Sequence, residues 1–410
     1  MTKSKTTRSP LLAIYLTVFL DMLGVTIIIP VLPALFFDAG TTIFEAEMSL
    51  TMRSVLYGLL LASYPLMQFF GAPALGALSD RHGRKPVLTA ALVGTLVGYL
   101  LFGTAILTKN IWLLFFSRML PGFTGGNISI VLSAIADVSD EQSRAKNFGL
   151  VGAAFGLGFI LGPTIGGILA DNSVVSWFDH ATPFWFTAGL TLLNILLVRI
   201  AFPETLRQSR QMRITLLKGF ENIGRSFQAP NLRKIFIVVL FMSLGFTFFT
   251  QFFSVYLIQK FSFSEKNIGF LYGWIGVWLV ITQAMTVRRL SRFFQPAQLI
   301  RVTAFFMAIA IGMLLLPADA RWFYLLNPIV ATFHGITAPN LTAFVSQQAR
   351  PDQQGEILGI NQSMQSLGQA IPPLIAGYMN AVNVNLPLAM AAVLIFTAWL
   401  LFFVNFGRKA

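Results

Sequence analysis

The chain has 410 residues, of which 55% are hydrophobic and only 11% charged. Soluble domains average about 25% charged residues, so lipid rather than water surrounds most of this one. The net charge of +13 raises the question of a nucleic-acid partner, but the basic residues alternate between loops instead of forming one face, and no nucleic acid is expected. No cysteine is present, which excludes disulfides and thiolate metal sites.

A helical span needs about 20 mostly apolar residues, and hydrocarbon leaves the backbone only helices or closed barrels. The apolar runs are long and unalternating, so the expected fold is an all-α integral membrane protein. Twelve transmembrane helices are predicted near 11–37, 55–79, 87–107, 111–136, 147–170, 181–202, 235–259, 267–287, 297–316, 322–345, 358–380 and 386–406. The odd-numbered connections hold only Arg53, Lys109, Lys260, Lys266 and Arg321; the tails and even-numbered connections hold nearly all the other basic residues. That bias predicts both termini in the cytoplasm. The first span is too long for a signal peptide and is read as retained.

The basic stretch 203–234 divides the spans six and six. The expected organisation is a bundle over 1–202, a cytoplasmic linker over 203–234 and a second bundle over 235–410. Within the linker, 214–227 reads as an amphipathic surface helix or a plain connector. The halves echo each other: Gly149, Gly158, Pro163 and Gly167 match Gly359, Gly368, Pro373 and Gly377 at a constant offset, and Asn127–Ser133 matches Asn340–Ser346. Two pseudo-symmetric six-helix bundles follow, the architecture of secondary transporters with a substrate site near midplane.

In chain order, span one carries Asp21 and span four Arg118, the only charged residues deep inside apolar runs. A charge at that depth costs at least about 2.5–3.5 kcal/mol, so each is a functional candidate, with Asp21 the expected proton site. Arg118 also reads as a side chain snorkelling to the surface. The loop after span two holds Gly76, Asp80, Arg81, Gly83, Arg84 and Lys85, an ordered glycine-broken turn. Span five carries Gly158, Gly162, Pro163, Gly166 and Gly167, where glycines four apart make a flat face for close helix packing.

Polar side chains expected on a cavity wall are Gln68, Asn127, Gln251, Trp274 and Gln283, with Asn361, Gln365 and Gln369 forming one stripe on span eleven. Interhelical hydrogen bonding is the plainer role for each. His334 is the one histidine at membrane depth and a candidate second coupling group; His82 and His180 read as ordinary loop residues. No phosphate-cradling G-x-x-x-x-G-K-[ST] occurs, so the proton gradient rather than a nucleotide or other cofactor is the expected drive. No cluster of acids or histidines suggests an enzyme.

The loop over 76–86 resembles the G-x-x-x-D-R-x-G-R-[KR] signature of the major facilitator superfamily. Span four, with Arg118 followed by Gly122, Gly125 and Gly126, is similar to the family's proton-transfer motif. Span five resembles its exporter signature G-x-x-x-G-P-x-x-G-G. Span one, and the stretch from Asp137 through Arg144 to Gly149, resemble the drug/proton antiporter branch that includes tetracycline exporters. The resemblance implies that the 76–86 loop locks the cytoplasmic side, with Asp80 at a helix N-terminus of the other half and Arg84 facing Asp137. It implies a proton-coupled antiporter exporting amphiphilic small molecules, working as a monomer in a bacterial inner membrane, with solute, protons and lipid as partners. A dedicated metabolite or siderophore carrier is the alternative within the same fold. In the working mechanism, Arg118 moves toward or away from Asp21 to release or load the proton.

Overall fold

The structure is a computed structural model, and it describes residues 10–37, 44, 48–138, 141–206, 221, 224, 230–348 and 354–406. It is an all-α, multi-span membrane fold. Among the described residues, eight helical segments are long and apolar enough to cross a bilayer, and Ala154–Leu169 is a shorter apolar one.

The first predicted span is two helices, α1 (Pro10–Thr26) and α2 (Ile28–Phe37). Pro30 has no N–H to offer the carbonyl of Thr26, so the ladder breaks at the turn between them. Then come α3 (Leu50–His82) and α4 (Arg84–Leu107). The predicted fourth span is also split, into α5 (Ile111–Thr124) and α6 (Ile128–Val138), by a 3-10 turn over Gly125–Asn127. Next are α7 (Glu141–Leu169) and α8 (Thr182–Ala201). The second half holds α9 (Pro230–Phe261), α10 (Glu265–Ile281), α11 (Pro296–Met313), α12 (Phe323–Gln347), α13 (Gln354–Val382) and α14 (Leu386–Phe406). A π-helical stretch, Thr282–Val287, continues α10. The amphipathic reading of 214–227 falls almost wholly outside the described residues.

The span-five glycines face two ways. Gly158, Gly162 and Gly166 lie against α1 and the turn after it, where a Cβ at any of them would strike the backbone of Phe19, Leu23 or Ile27. The hydroxyl of Thr26 lies 3.1 Å from the carbonyl of Gly158 across that contact. The other face meets the second half: the Pro163 carbonyl rests on Gly269, Gly167 on the backbone of Glu265, and Thr164 Oγ1 donates to Gly269 O at 3.2 Å. The pattern is repeated between α13 and α3, where the Pro373 carbonyl rests on Gly58 and Gly377 on the backbone of Ser54. Asn380 Nδ2 donates to Ser54 Oγ at 3.1 Å beside it.

Both seams lie in the Lys/Arg-poor half of the molecule. Two side-chain pairs reinforce them there. His180 Nε2 lies 2.6 Å from Glu265 Oε1, and Lys266 Nζ lies 3.5 Å from Asp171 Oδ2, each joining the first half to the second. His180 is thus no ordinary loop residue. Its partner stands 85 positions away, beyond the reach of sequence patterning.

Partly exposed pairs contribute about 0.2–1 kcal/mol each. Removing both with Asp171→Asn and Glu265→Gln should loosen this end about two- to thirtyfold. Maleimide labelling of a single cysteine at Val55, in this otherwise cysteine-free chain, reads the change. The charge swap Asp171→Lys with Lys266→Asp should return labelling toward its starting rate. Unchanged labelling in the neutralised variant would show that the glycine seams hold the end shut alone.

Candidate functional site

Asp21 lies in the last turns of α1, half-buried. Asn127 Nδ2 donates to its Oδ2 at 2.6 Å, and this amide is the carboxylate's sole partner among the described residues. The 3-10 turn over Gly125–Asn127 brings the amide inward. Gln68 Nε2 fixes that turn by donating to the carbonyl of Gly125 at 3.0 Å. Asn127, expected on a cavity wall, is 4% exposed and committed to the acid.

Arg118 makes no ion pair with Asp21 in this conformation. Its guanidinium lies 4.7 Å from the centre of the Tyr64 ring, a cation–π contact that offsets part of its desolvation. Its Nε is buried without a hydrogen-bond partner. His334 stacks flat on Phe246, ring centres 3.5 Å apart, and its Nδ1 is buried and unpaired.

The remaining wall candidates scatter. The carbonyl of Gln251 accepts from Tyr57 Oη at 3.1 Å across the two halves. The carbonyl of Gln365 accepts from Ser243 at 3.0 Å, tying α13 to α9. Asn361 is buried with its Oδ1 unpaired. Gln283, in the π-helical stretch, and Gln369 are exposed. Trp274 is 40% exposed and its indole donates to the carbonyl of Tyr324 at 2.9 Å. Pro328, one turn on, has no N–H for that carbonyl, so the indole takes the place of the missing helix bond. With Trp278 and Thr332, Trp274 lines a groove of about 340 Å³ between α10 and α12.

The loop over 76–86 forms one compact network. Gly83 has φ +102°, a conformation that a side chain would strain, and a Cβ there would meet the Glu204 carboxylate. Arg84, 5% exposed, pairs with Asp80 Oδ1 at 2.6 Å and with Asp137 Oδ2 at 3.1 Å, and donates to Ser79 Oγ at 2.7 Å. Gly76 packs on the side chain of Ser129. Arg81 is exposed and Lys85 partly so; the side chain of Arg144 lies outside the described residues.

Among the described residues, Asp80 pairs within its own half, with Arg84. Glu204 occupies the N-terminus of α4: its Oε1 accepts from Arg84 N at 2.9 Å and its Oε2 from Lys85 N at 3.1 Å. Two orphan donors of the first turn are satisfied in this way, and the negative charge lies where the helix dipole favours it. Thr205 Oγ1 adds a contact to Asp137 at 3.3 Å. Nothing in the sequence marks Glu204 and Thr205 for these roles, because P-E-T-L-R after span six reads as the start of a polar linker.

A membrane chain whose halves meet along paired glycine seams, with an acid at mid-membrane, is built as a secondary transporter. Residues 14–373 match the model of the Major Facilitator Superfamily, and the chain belongs to that family. It is similar to the class C tetracycline resistance protein of Escherichia coli, 33% identical over 383 residues, covering 92% of this chain and 90% of that one. The quinolone resistance protein NorA of Staphylococcus aureus strain MRSA252 is 29% identical over 385 residues, covering 92% of each. Among solved structures, the human organic anion transporter MFSD10 (TETRAN) superposes with a TM-score of 0.73 at 22% identity, covering 97% of this chain and 100% of that one. A bacterial homolog of the human lysosomal transporter Spinster, inward-facing and occupied, superposes with a TM-score of 0.76 at 15% identity, over 99% and 98% of the two chains. The protein is a secondary transporter of the drug/proton-antiporter type, not an enzyme.

Burial pushes the Glu204 carboxyl up, but the backbone N–H groups of Leu206, Arg84, Lys85 and Thr205 outweigh it and hold the group below its usual range. A lowered folded value means the contribution is full above the unfolded pKa of about 4.3 and is lost as pH falls through the folded one. Glu204→Ala should cost about 0.5–2 kcal/mol at pH 7, the range for a lost helix cap. The difference from wild type should shrink below about pH 4, as read by thermal unfolding in detergent.

Proposed function

We propose that this transporter has twelve spans in two six-helix units, over 1–202 and 235–410 with 203–234 between, and expels amphiphilic small molecules in exchange for protons bound at Asp21. The observation that carries the reading is the environment of Asp21. At mid-membrane it is held by a neutral amide alone, with the nearest deep cation turned to an aromatic ring. An acid so placed is left free to alternate between charged and neutral forms, whereas an acid locked to an arginine would stay charged.

The positive-inside bias supports both termini in the cytoplasm of a bacterial inner membrane. The Lys/Arg-poor end then faces outward, so the glycine seams and the side-chain pairs beside them close the outer side. In this conformation the 76–86 network keeps Asp80, Arg84, Asp137 and Glu204 together within the first half. Opening outward requires the seams to part and Asp21 to meet the external solution. Relatives named for tetracycline and quinolone resistance support a cargo of that amphiphilic kind. Gln68, Gln251, Gln283, Trp274, Asn361, Gln365 and Gln369 are the residues we assign to cargo contact in the course of the cycle, and His334 to a second coupling role. The unit of function is the monomer.

One proton suffices energetically. A charge crossing about 100 mV yields about 2.3 kcal/mol, and tenfold concentration takes about 1.4 kcal/mol, so one proton sustains roughly a fiftyfold gradient. In purified protein, adding cargo should release protons, and Asp21→Asn should abolish the release while keeping cargo affinity within about threefold. Undiminished release from that variant, read with a pH dye, would place the coupling elsewhere.

A further inference from the structure

Arg118 has no acceptor for its Nε among the described residues, and it lies beside a cavity of about 10 Å³ lined by Gly24, Tyr64, Tyr99 and Ser117. That is the room one water needs, and buried waters are held by two to four polar groups. Four groups are on hand: Arg118 Nε, the hydroxyls of Tyr64 and Tyr99, which bond no described residue, and Ser117 Oγ. The Ser117 hydroxyl donates to Leu114 O at 2.6 Å and keeps its lone pairs for accepting.

The same two tyrosines connect this cavity to Asp21. The Tyr99 hydroxyl packs directly on Gly24, one turn past Asp21, where a Cβ would collide with it. The Tyr64 hydroxyl packs in the same manner on Gly125, in the turn that delivers Asn127 to the carboxylate. Each tyrosine is within electrostatic reach of both Asp21 and Arg118. Height matters as well. Arg118 is about 10 Å from the Lys/Arg-poor end of α5, and Asp21 is about 17 Å from the opposite end of α1, at 1.5 Å per residue. In a core of about 30 Å, Arg118 is a few ångströms outward of the acid.

We propose that Tyr64, Tyr99 and Arg118 hold one ordered water that forms the outer leg of the proton path to Asp21. The inference rests on Asp21 being the proton site. When the outer side opens, a protonated water in this cavity gives up one proton, which passes by way of the Tyr64 and Tyr99 hydroxyls to the ionised carboxylate, since Asp21 does not itself line the cavity. One O–H bond breaks on the hydronium, one forms on Asp21, and a neutral water stays behind. The fixed guanidinium charge disfavours a resting hydronium, so the proton passes only when Asp21 is charged and accepts it. Tyr64 and Tyr99 orient this water and relay its proton.

The test is proton uptake by the protein in liposomes after an external acid jump, comparing wild type, Tyr64→Phe, Tyr99→Phe, the double variant and Asp21→Asn. The phenylalanines keep the rings, and so the cation–π contact, while removing the hydroxyls. The double variant should take up protons at least about tenfold more slowly, with cargo affinity unchanged and a larger solvent isotope effect, as expected when a proton relay is removed. Wild-type uptake in the double variant, with none in Asp21→Asn, overturns the water path alone. Wild-type uptake in Asp21→Asn overturns the Asp21 assignment and the path with it. An experimental map of the wild-type protein at about 2 Å gives a second readout independent of the variants. Density within hydrogen-bond distance of Arg118 Nε is expected, and a dry cavity overturns the proposal.

Discussion

The fold depends on backbone meeting backbone without side chains between. At Gly58 and Gly269, proline carbonyls from the opposite half lie where any Cβ would be, so α3 meets α13, and α10 meets α7, at the closest distance helices allow. In lipid the hydrophobic effect gives helices little reason to associate, so such dispersion-rich seams and the polar contacts beside them set which surfaces pair. A seam of this kind is also reversible. Few side chains cross it, Thr164 on Gly273 and Asn380 on Ser54 among them, and none of these carries a charge. The His180–Glu265 contact and the Lys266–Asp171 ion pair sit at its edge, near water, where breaking them costs little.

Charge is handled differently at each level of the membrane. At the Lys/Arg-rich end, Arg84 is buried but surrounded by Asp80, Asp137 and Ser79, with Glu204 on its backbone. That network is fully paired and so acts as a rigid corner. At mid-membrane, Asp21 and Arg118 are kept apart, each with a neutral or aromatic neighbour. Pairing them permanently would fix their charges, and no such pair forms here. The contrast divides the first half into a cluster of paired charges and two deep charges that do not pair with each other.

The Gly158–Gly167 motif and its counterpart at Gly368–Gly377 were legible because glycine and proline have fixed consequences for the backbone at any position. The break of span one at Ile27 was implicit in Pro30, and the split of span four in Gly125–Gly126. Asp21 stood out because a lone carboxylate in an apolar run has few structural uses. The partners were not legible. Asn127 looked like a wall residue, and only the 3-10 turn points it at Asp21. Trp274 lines a groove between α10 and α12, and its indole also caps the carbonyl freed by Pro328.

The amino-acid sequence alone determined the solvent of this protein, its helical class, the recurrence of its glycine–proline motif and the position of its deep acid, since these follow from composition, period and local backbone chemistry. The tertiary structure decided which groups bond. Glu204 at the start of α4, His180 against Glu265 and Arg118 over the Tyr64 ring are pairings between segments far apart in the chain. Distances of that kind are set by helix packing angles and a few close approaches, and no local pattern of residues encodes them.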